Sequence, residues 1–241
     1  MSAAGDDSAG AAASARARRD ALWGAGLVAC AALAIASAPW ALAMTALNFI
    51  FKPLATLCVV AYALGRGGEG PVRRWVLAGL CLSLAGDVAL LWPREGFLPG
   101  LVSFLIAHLA YLVAFTRRHR LAQWWPAFAI YAGVAGLVLW QLWPGVPGGL
   151  RVPVLAYVLC LASMAAQAAV LWRLGEARAG VLALGGALFM MSDALLATNR
   201  FAAPLPLANL WILATYWAAQ WCIASWLPPR QEPPAQARAL P

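Results

Sequence analysis

Charged side chains are scarce in this sequence. They make up 11% of its 241 residues, and only nine of them are acidic, whereas hydrophobic residues account for 63%. One globular core could not cover that many apolar side chains, so the composition excludes a soluble domain. The sequence therefore predicts an all-α, polytopic membrane helix bundle.

Residue patterns that hold a metal are also lacking. The five cysteines are odd in number, lie within apolar segments and form no C-x-x-C or Cys/His spacing. This pattern argues against a zinc site, and we expect neither a metal nor a cofactor. We interpret the cysteines as small packing residues: Cys30, Cys58, Cys81, Cys160 and Cys222.

The basic residues form no continuous stripe, although the formal net charge is +8. They lie in small groups between apolar segments, which argues against a nucleic-acid partner and instead orients helices in a bilayer. With the N-terminus inside, thirteen arginines fall in inner segments and three, Arg94, Arg151 and Arg200, in outer ones. Because cytoplasmic loops carry the excess of basic residues, this split predicts eight spans with both termini in the cytoplasm.

Breaks at Pro, Gly and Arg divide the chain into eight segments, each near the roughly 20 apolar residues that a spanning helix needs. The predicted helices are Ala21–Ser37, Ala46–Leu64, Trp75–Leu91, Leu98–Phe115, Trp125–Leu142, Val152–Trp172, Ala179–Leu196 and Leu207–Trp226. Residues 21–226 thus form the predicted transmembrane bundle. The Ala/Ser-rich segment 1–20 and the Pro-rich segment 227–241 are expected to be disordered tails.

Two of the predicted spans end alike. The third ends LAGDVALLWPREGF and the seventh ends FMMSDALLATNRF, so each has a small residue before an aspartate and an apolar stretch after it. Four helices separate the two ends, and both helices therefore run in the same direction, as in a parallel repeat of two four-helix halves. An ancient duplication and the convergence of two helix ends both stay open as explanations.

The aspartates at these two ends, Asp87 and Asp193, are the only acidic residues inside the predicted spans. An Asp at the centre of a spanning helix costs roughly 2.5 to 3.5 kcal/mol on insertion scales, so such a residue is seldom kept without a role. Both helices run outward, which places each carboxylate about one turn below the outer interface. These two residues are the candidate acid and base.

Other polar side chains fall at similar depth or near the middle of the bundle. Lys52 either pairs with an aspartate or a phosphate, or extends its ammonium to the interface along its aliphatic stem. His108 and Tyr111 lie one turn apart on the fourth helix, and His108 either faces the same cavity or hydrogen-bonds across helices. Asn199 follows the seventh helix and contacts either the substrate or solvent and headgroups.

Two carboxylates in a partly dry cavity suit acid/base chemistry. Desolvation and like charge favour protonation of one, whereas a nearby ammonium favours ionisation of the other. One carboxyl group can then hold a proton while its partner acts as a base. The same groups would also suit a proton-coupled carrier, and their spacing alone does not choose between an enzyme and a transporter.

Four motifs, taken in order along the chain, resemble the signature positions of the YhhN family of eight-helix membrane proteins. They are Phe51-Lys52-Pro53-Leu54, Ala85-Gly86-Asp87, Phe104-x-x-x-His108-x-x-Tyr111 and Ser192-Asp193. The resemblance covers roughly residues 21–226, and the animal members of the family are lysoplasmalogenases. It implies an integral membrane protein, which we expect in the inner (cytoplasmic) membrane of a bacterium.

The activity that the resemblance implies is hydrolysis of the vinyl ether bond of a lysoplasmalogen, a lyso-ether phospholipid of the bilayer. The products are a fatty aldehyde and a glycerophospho-headgroup. Protonating the β-carbon of a vinyl ether gives an oxocarbenium ion that water attacks, which is the demand that glycosidases meet with two carboxylates. Asp87 and Asp193 would supply the acid and the base, in either order.

We assign supporting roles to four further residues. Lys52 would tune the carboxylates or bind the substrate phosphate, His108 and Tyr111 would orient water or the headgroup, and Asn199 would bind the substrate or tune the carboxylates. The alternative function is a proton-coupled transporter or a lipid-binding membrane protein that uses the same Asp/Lys network. The sequence does not indicate an oligomeric state.

Overall fold

The computed structural model describes residues 3–37, 44–68, 70–92 and 94–230. Within them it contains eight α-helices and, between the fifth and sixth, two single-turn 3₁₀ helices, Trp143–Gly145 and Gly148–Leu150. The α-helices are α1 Ala3–Ala36, α2 Thr45–Leu64, α3 Gly70–Ala89, α4 Phe97–Thr116, α5 Trp125–Leu142, α6 Arg151–Arg173, α7 Ala179–Phe201 and α8 Ala208–Trp226. The predicted all-α bundle of about eight helices is confirmed.

Six of the helices are long and apolar enough to cross a membrane, namely α1, α2, α4, α5, α6 and α7. The other two have comparable lengths, 20 residues for α3 and 19 for α8. Polar side chains interrupt both of them, because α3 contains Arg73, Arg74 and Asp87, and α8 contains Asn209 and Gln220. The chain is thus an integral membrane protein in which α3 and α8 pack within the same bundle as the six apolar helices.

The two ends of the bundle differ from the predicted tails. The first helix begins at Ala3 rather than near residue 21, because the Ala-rich segment before it has high helix propensity. At the other end, the Gly67 amide donates to the Pro228 carbonyl at 2.8 Å, and Arg66 donates to the carbonyl of Leu227. These bonds hold residues 227–230 against the α2–α3 loop. The rest of the predicted C-terminal tail, 231–241, lies outside the described residues.

The order of helix packing is nearly the same in the two halves of the chain. Neighbouring helices pack as α1–α2, α2–α3 and α3–α4 in the first half and as α5–α6, α6–α7 and α7–α8 in the second. The main contacts between the halves are α2–α8 and α4–α6. Helices α2 and α6 hold equivalent positions in the two halves, as do α4 and α8, so these two contacts are equivalent. Such an arrangement is what a parallel repeat would produce, although the duplication itself stays a hypothesis. The outer helices break the symmetry, since α1 packs on α8 whereas α5 packs on α7.

Two glycines of α3 bring α4 unusually close. A Cβ at Gly79 would overlap the ring of Tyr111, and one at Gly86 would lie 2.6 Å from the ring of Phe104. Both aromatic rings therefore lie directly on the backbone of α3. This contact fixes the rotation of α4 beside Asp87.

Candidate active site

A cavity of about 1050 Å³ lies at the end of the bundle where α3, α5 and α7 end and α4, α6 and α8 begin. Of the eight described helices, all but α1 line it. Its polar lining includes both intramembrane carboxylates, Asp87 and Asp193. Its apolar lining comes largely from one face of α5 and the facing part of α6, including Val134, Val138 and Val158. One space thus joins two acidic groups to a hydrocarbon wall.

Asp87 is buried, with 2% of its surface exposed, and its carboxylate is held by three groups from two other helices, α2 and α8. The hydroxyls of Thr56 and Tyr216 both donate to Oδ2, at 2.6 and 2.7 Å. The ammonium of Lys52 lies 3.9 Å from Oδ1. Hydroxyl donors and a cation all favour a negatively charged carboxylate.

Lys52 therefore points into the bundle. It is 8% exposed, and it lies on α2 one turn before Thr56, so both side chains project from the same face towards Asp87. Of the two interpretations that the sequence left open, the structure shows the ammonium next to a carboxylate rather than extended to the interface.

A chain of hydrogen bonds leads away from Asp87 through the bundle. The Gln220 amide donates to the hydroxyl of Tyr216 at 3.2 Å, and the Tyr111 hydroxyl donates to the Gln220 carbonyl oxygen at 2.7 Å. Trp217 in turn donates its indole N–H to the hydroxyl of Thr56 at 3.1 Å. Tyr111 thus supports Asp87 through two intermediates and does not line the cavity.

Asp193 has different surroundings from Asp87. It is only partly buried, and the hydroxyl of Tyr157 on α6 donates to its Oδ2. Within the part of the chain that the structure describes, no lysine or arginine lies within ion-pair distance of it. The sequence placed Asp193 in one cluster with Lys52 and Asp87. The structure puts all three on the same cavity, but only the other two form a pair.

His108 lies behind the cavity instead of lining it. Its fully buried ring packs edge-on against Phe189 and Tyr157, with centroid distances of 4.5 and 5.3 Å. Neither ring nitrogen has a hydrogen-bond partner among the described residues. The sequence suggested that His108 either faces the cavity or hydrogen-bonds across helices, and the described residues show neither arrangement. The ring instead packs against the ring of Tyr157.

The polar lining residues nearest the helix ends form what we call the mouth of the cavity. They are three amides and one arginine, namely Asn48, Asn199, Asn209 and Arg200. The backbone N–H of Leu205 donates to the side-chain oxygen of Asn199 at 2.9 Å, so this residue also fixes the α7–α8 loop. The guanidinium of Arg200 lies 4.8 Å from the centre of the Phe97 ring.

Two residues that bind the carboxylates, Thr56 and Tyr157, were not predicted from the sequence. Thr56 carries a usable signal, because it lies one turn from Lys52 on the same face of α2. Tyr157 carries none, since a tyrosine in an apolar helix is typical of packing until the neighbouring helix is known. No three His, Cys, Asp or Glu side chains in the described ranges come together as a metal site would require.

The sequence profile of the YhhN family matches residues 47–227, which include every residue that lines the cavity. No solved structure matches the chain.

Curated relatives extend this likeness. Lysoplasmalogenase TMEM86B of Sus scrofa is 39% identical over 173 residues, which cover 70% of this chain and 69% of the relative. The protein of the same name from Homo sapiens is 35% identical over 176 residues, 71% of each chain. An uncharacterized membrane protein YhhN of Escherichia coli O157:H7 is 31% identical over 96 residues, 40% of this chain and 46% of its own. With the family profile covering three quarters of the sequence, this chain belongs to the YhhN family.

Proposed function

We propose that this protein is a membrane-embedded hydrolase that cleaves the vinyl ether bond of lysoplasmalogens, with Asp87 and Asp193 as its acid/base pair. The observation that carries the proposal is that the two acids of the membrane-spanning region line one cavity but have different partners. The relatives named lysoplasmalogenase support it. Those names favour the hydrolase over a transporter or a lipid-binding protein.

The shape of the cavity suits a lipid with one chain. Its apolar wall on α5 and α6 offers hydrocarbon contacts to an alkenyl chain, and its mouth offers amides and a guanidinium to a polar headgroup. On α7, Asp193 lies between the apolar lining residues Ala187 and Met190 and the polar lining residues Asn199 and Arg200, as the vinyl ether lies between the alkenyl chain and the headgroup. A single chain and a headgroup bound in this way would present the vinyl ether to both acids.

The surroundings of the two carboxylates support an assignment of roles. Asp87 receives two hydroxyl donors and faces an ammonium, so we assign it as the carboxylate that acts as the base and stabilises the cation. Asp193 has one phenol donor and, among the described residues, no ammonium partner, so we assign it as the proton-bearing acid. Two carboxyl groups kept in different ionisation states by their surroundings are a common basis for acid/base catalysis.

The chemistry balances without a further proton source. Asp193 gives its proton to the β-carbon of the vinyl ether, and the resulting oxocarbenium ion lies beside the negative charge of Asp87. Water adds to the cationic carbon while Asp87 takes its proton, which gives a hemiacetal. The hemiacetal then collapses as Asp193 takes back a proton from its hydroxyl group and Asp87 protonates the departing glycerol oxygen. Aldehyde and alcohol leave, and both acids return to their starting states.

The proposal extends to orientation. By the order of the helices, twelve arginines of the described residues lie towards the end of the bundle opposite the cavity and three, Arg94, Arg151 and Arg200, towards the cavity end. This difference supports a cavity open to the non-cytoplasmic side and both termini in the cytoplasm. We propose the cytoplasmic membrane of a bacterium as the host membrane, and the Escherichia coli relative, which is named a membrane protein, supports a bacterial membrane. The substrate would then come from the outer leaflet.

Aldehyde release by the purified protein tests the activity. The protein in detergent micelles is given a 1-alkenyl lysophospholipid, and the matched 1-alkyl and 1-acyl lysophospholipids serve as controls. We expect aldehyde from the alkenyl lipid only, since a saturated ether cannot be protonated on carbon and an ester would yield a fatty acid. If the protein releases fatty acid from the acyl lipid but no aldehyde from the alkenyl lipid, it is an esterase and not a vinyl ether hydrolase.

A further inference from the structure

The geometry points to Arg200 as the residue that binds the phosphate of the lipid headgroup. This inference deepens the proposed function, on which it rests, by naming a recognition site for one part of the substrate. The sequence offered Lys52 for this role. The structure instead places Lys52 beside Asp87, and its charge is then largely balanced by that carboxylate.

Among the described residues that line the cavity, Arg200 is the one cation besides Lys52. It lines the cavity, and in the described part of the chain no Asp or Glu lies within ion-pair distance of it. Its guanidinium lies over the ring of Phe97, which also lines the cavity. Stacking on an aromatic face leaves the N–H donors of the guanidinium edge available, and those donors match a phosphate in a bidentate geometry.

The position of Arg200 along α7 fits the length of the substrate. Arg200 follows Asp193 by seven positions, so the two lie on the same face of the helix, two turns or about 10.5 Å apart along its axis. In a lysoplasmalogen, a three-carbon glycerol and its two bridging oxygens separate the vinyl group from phosphorus, a comparable length when extended. A phosphate on Arg200 would thus leave the vinyl ether beside Asp193.

Polar groups on two other helices surround the same space. Asn48 lies in the first turn of α2 and Asn209 in the first turn of α8, and both line the cavity. The positive ends of these two helix dipoles therefore lie at the mouth, where they favour an anion. The buried side-chain oxygen of Asn48 has no hydrogen-bond partner among the described residues. As an acceptor it suits a donor next to the phosphate, such as the glycerol hydroxyl, and not the phosphate itself.

Binding of lipids that cannot be cleaved tests this inference separately from catalysis. The probes are a 1-alkyl lysophospholipid and a 1-alkylglycerol of the same chain, which differ only in the phosphate headgroup. Affinities are measured by titration of the purified protein, its Arg200→Gln and Arg200→Lys variants, and Arg151→Gln as the matched control. Arg151 stacks on Trp143 in the α5–α6 region and does not line the cavity.

We expect the parent to bind the phospholipid more tightly than the alkylglycerol. Arg200→Gln should weaken phospholipid binding by about tenfold or more, the scale of a lost hydrogen bond between charged groups, and should leave alkylglycerol binding unchanged. Arg200→Lys should keep most of the preference, and Arg151→Gln all of it. Equal losses for both probes, or an unchanged preference in Arg200→Gln, would overturn the inference.

A third probe separates a lipid headgroup from free phosphate. Inorganic phosphate should fail to displace the bound alkyl lysophospholipid, because it lacks the chain that holds the lipid in the apolar part of the cavity. If inorganic phosphate displaced the lipid at concentrations similar to those at which the lipid binds, the site would be one for free phosphate, which would contradict headgroup recognition. If the protein binds the alkyl probes as expected but releases no aldehyde from the alkenyl lipid, the phosphate site stands and the proposed hydrolase fails.

Discussion

Tyr216 on α8 donates its hydroxyl to Asp87 on α3 at 2.7 Å, and this bond joins the last helix of the bundle to the first of its two intramembrane acids. The same hydroxyl accepts a hydrogen bond from Gln220. A carboxylate fixed by donors from α2 and α8 cannot turn freely towards solvent. Asp87 is thereby positioned by packing contacts between the two halves of the chain.

Removing this one hydroxyl should weaken both the structure and the activity. We expect Tyr216→Phe to lower the free energy of unfolding by about 0.5 to 2 kcal/mol, as for other interhelical hydrogen bonds. Turnover should fall by about tenfold, because the base is less well oriented. Tyr131→Phe is the matched control, since Tyr131 also lines the cavity but has no hydrogen bond within the described ranges. Equal effects of the two substitutions on turnover would contradict a specific role for Tyr216.

The pairing of Lys52 with Asp87 can be measured as a coupling energy. Lys52→Met leaves a buried carboxylate without its cation and should destabilise the protein by on the order of 3 kcal/mol, the scale for breaking a buried ion pair. Adding Asp87→Asn should recover much of that loss, because no unpaired charge remains. Thermal unfolding of the parent, both single variants and the double variant in detergent gives the coupling. Effects that add within about 0.5 kcal/mol would mean that the two groups do not interact.

The apolar wall should set the preferred chain length. Val138 lines the cavity, and Val138→Trp would fill part of the space proposed for the alkenyl chain. We expect the ratio of kcat/KM for a decenyl over a hexadecenyl substrate to rise several-fold. The neighbouring Leu137 is 57% exposed on the outside of the bundle and does not line the cavity, so Leu137→Trp should leave the ratio unchanged. A shift of similar size in both variants would place the chain elsewhere.

Membrane orientation follows from labelling of single cysteines in a cysteine-free parent. Glu95→Cys and Gly148→Cys lie in loops at the cavity end and should react with an impermeant reagent added to intact cells. Gln123→Cys lies in the α4–α5 loop at the other end and should react only after the cells are opened. Labelling of the Gln123 position from outside, with protection of the other two, would reverse the proposed orientation.

Local patterns in the sequence were enough to predict most of the helices. The predicted and observed bounds of α5 are identical, because Trp124 and Pro126 mark its start and Pro144 follows its end. The intramembrane acids were also identified, since a carboxylate at membrane depth stands out by its cost. The first helix was predicted too short, because hydropathy marks the membrane-spanning part of a helix and not its polar, Ala-rich extension.

The partners within the site could not be predicted, because they depend on how deep the cavity reaches and on which helices are neighbours. His108 and Tyr111 lie on the same face of α4 as Phe104, which lines the cavity, but they lie one and two turns further along the helix and do not line it. Tyr157 reaches Asp193 only because α6 packs on α7. Nothing in the local sequence of either helix specifies these contacts.

Protonation of the vinyl ether by Asp87 and Asp193 can be followed by solvent-deuterium labelling of the released aldehyde, measured for the parent, Asp87→Asn, Asp193→Asn and the exposed control Glu95→Gln. Turnover in heavy water is quenched by reduction, and mass spectrometry locates the label. We expect one deuterium on the carbon next to the aldehyde carbon for the parent and Glu95→Gln, and turnover reduced by a factor of about 10² or more in each Asn variant. An unlabelled aldehyde, or Asn variants with near-parental turnover, would contradict protonation of the vinyl ether by this carboxylate pair.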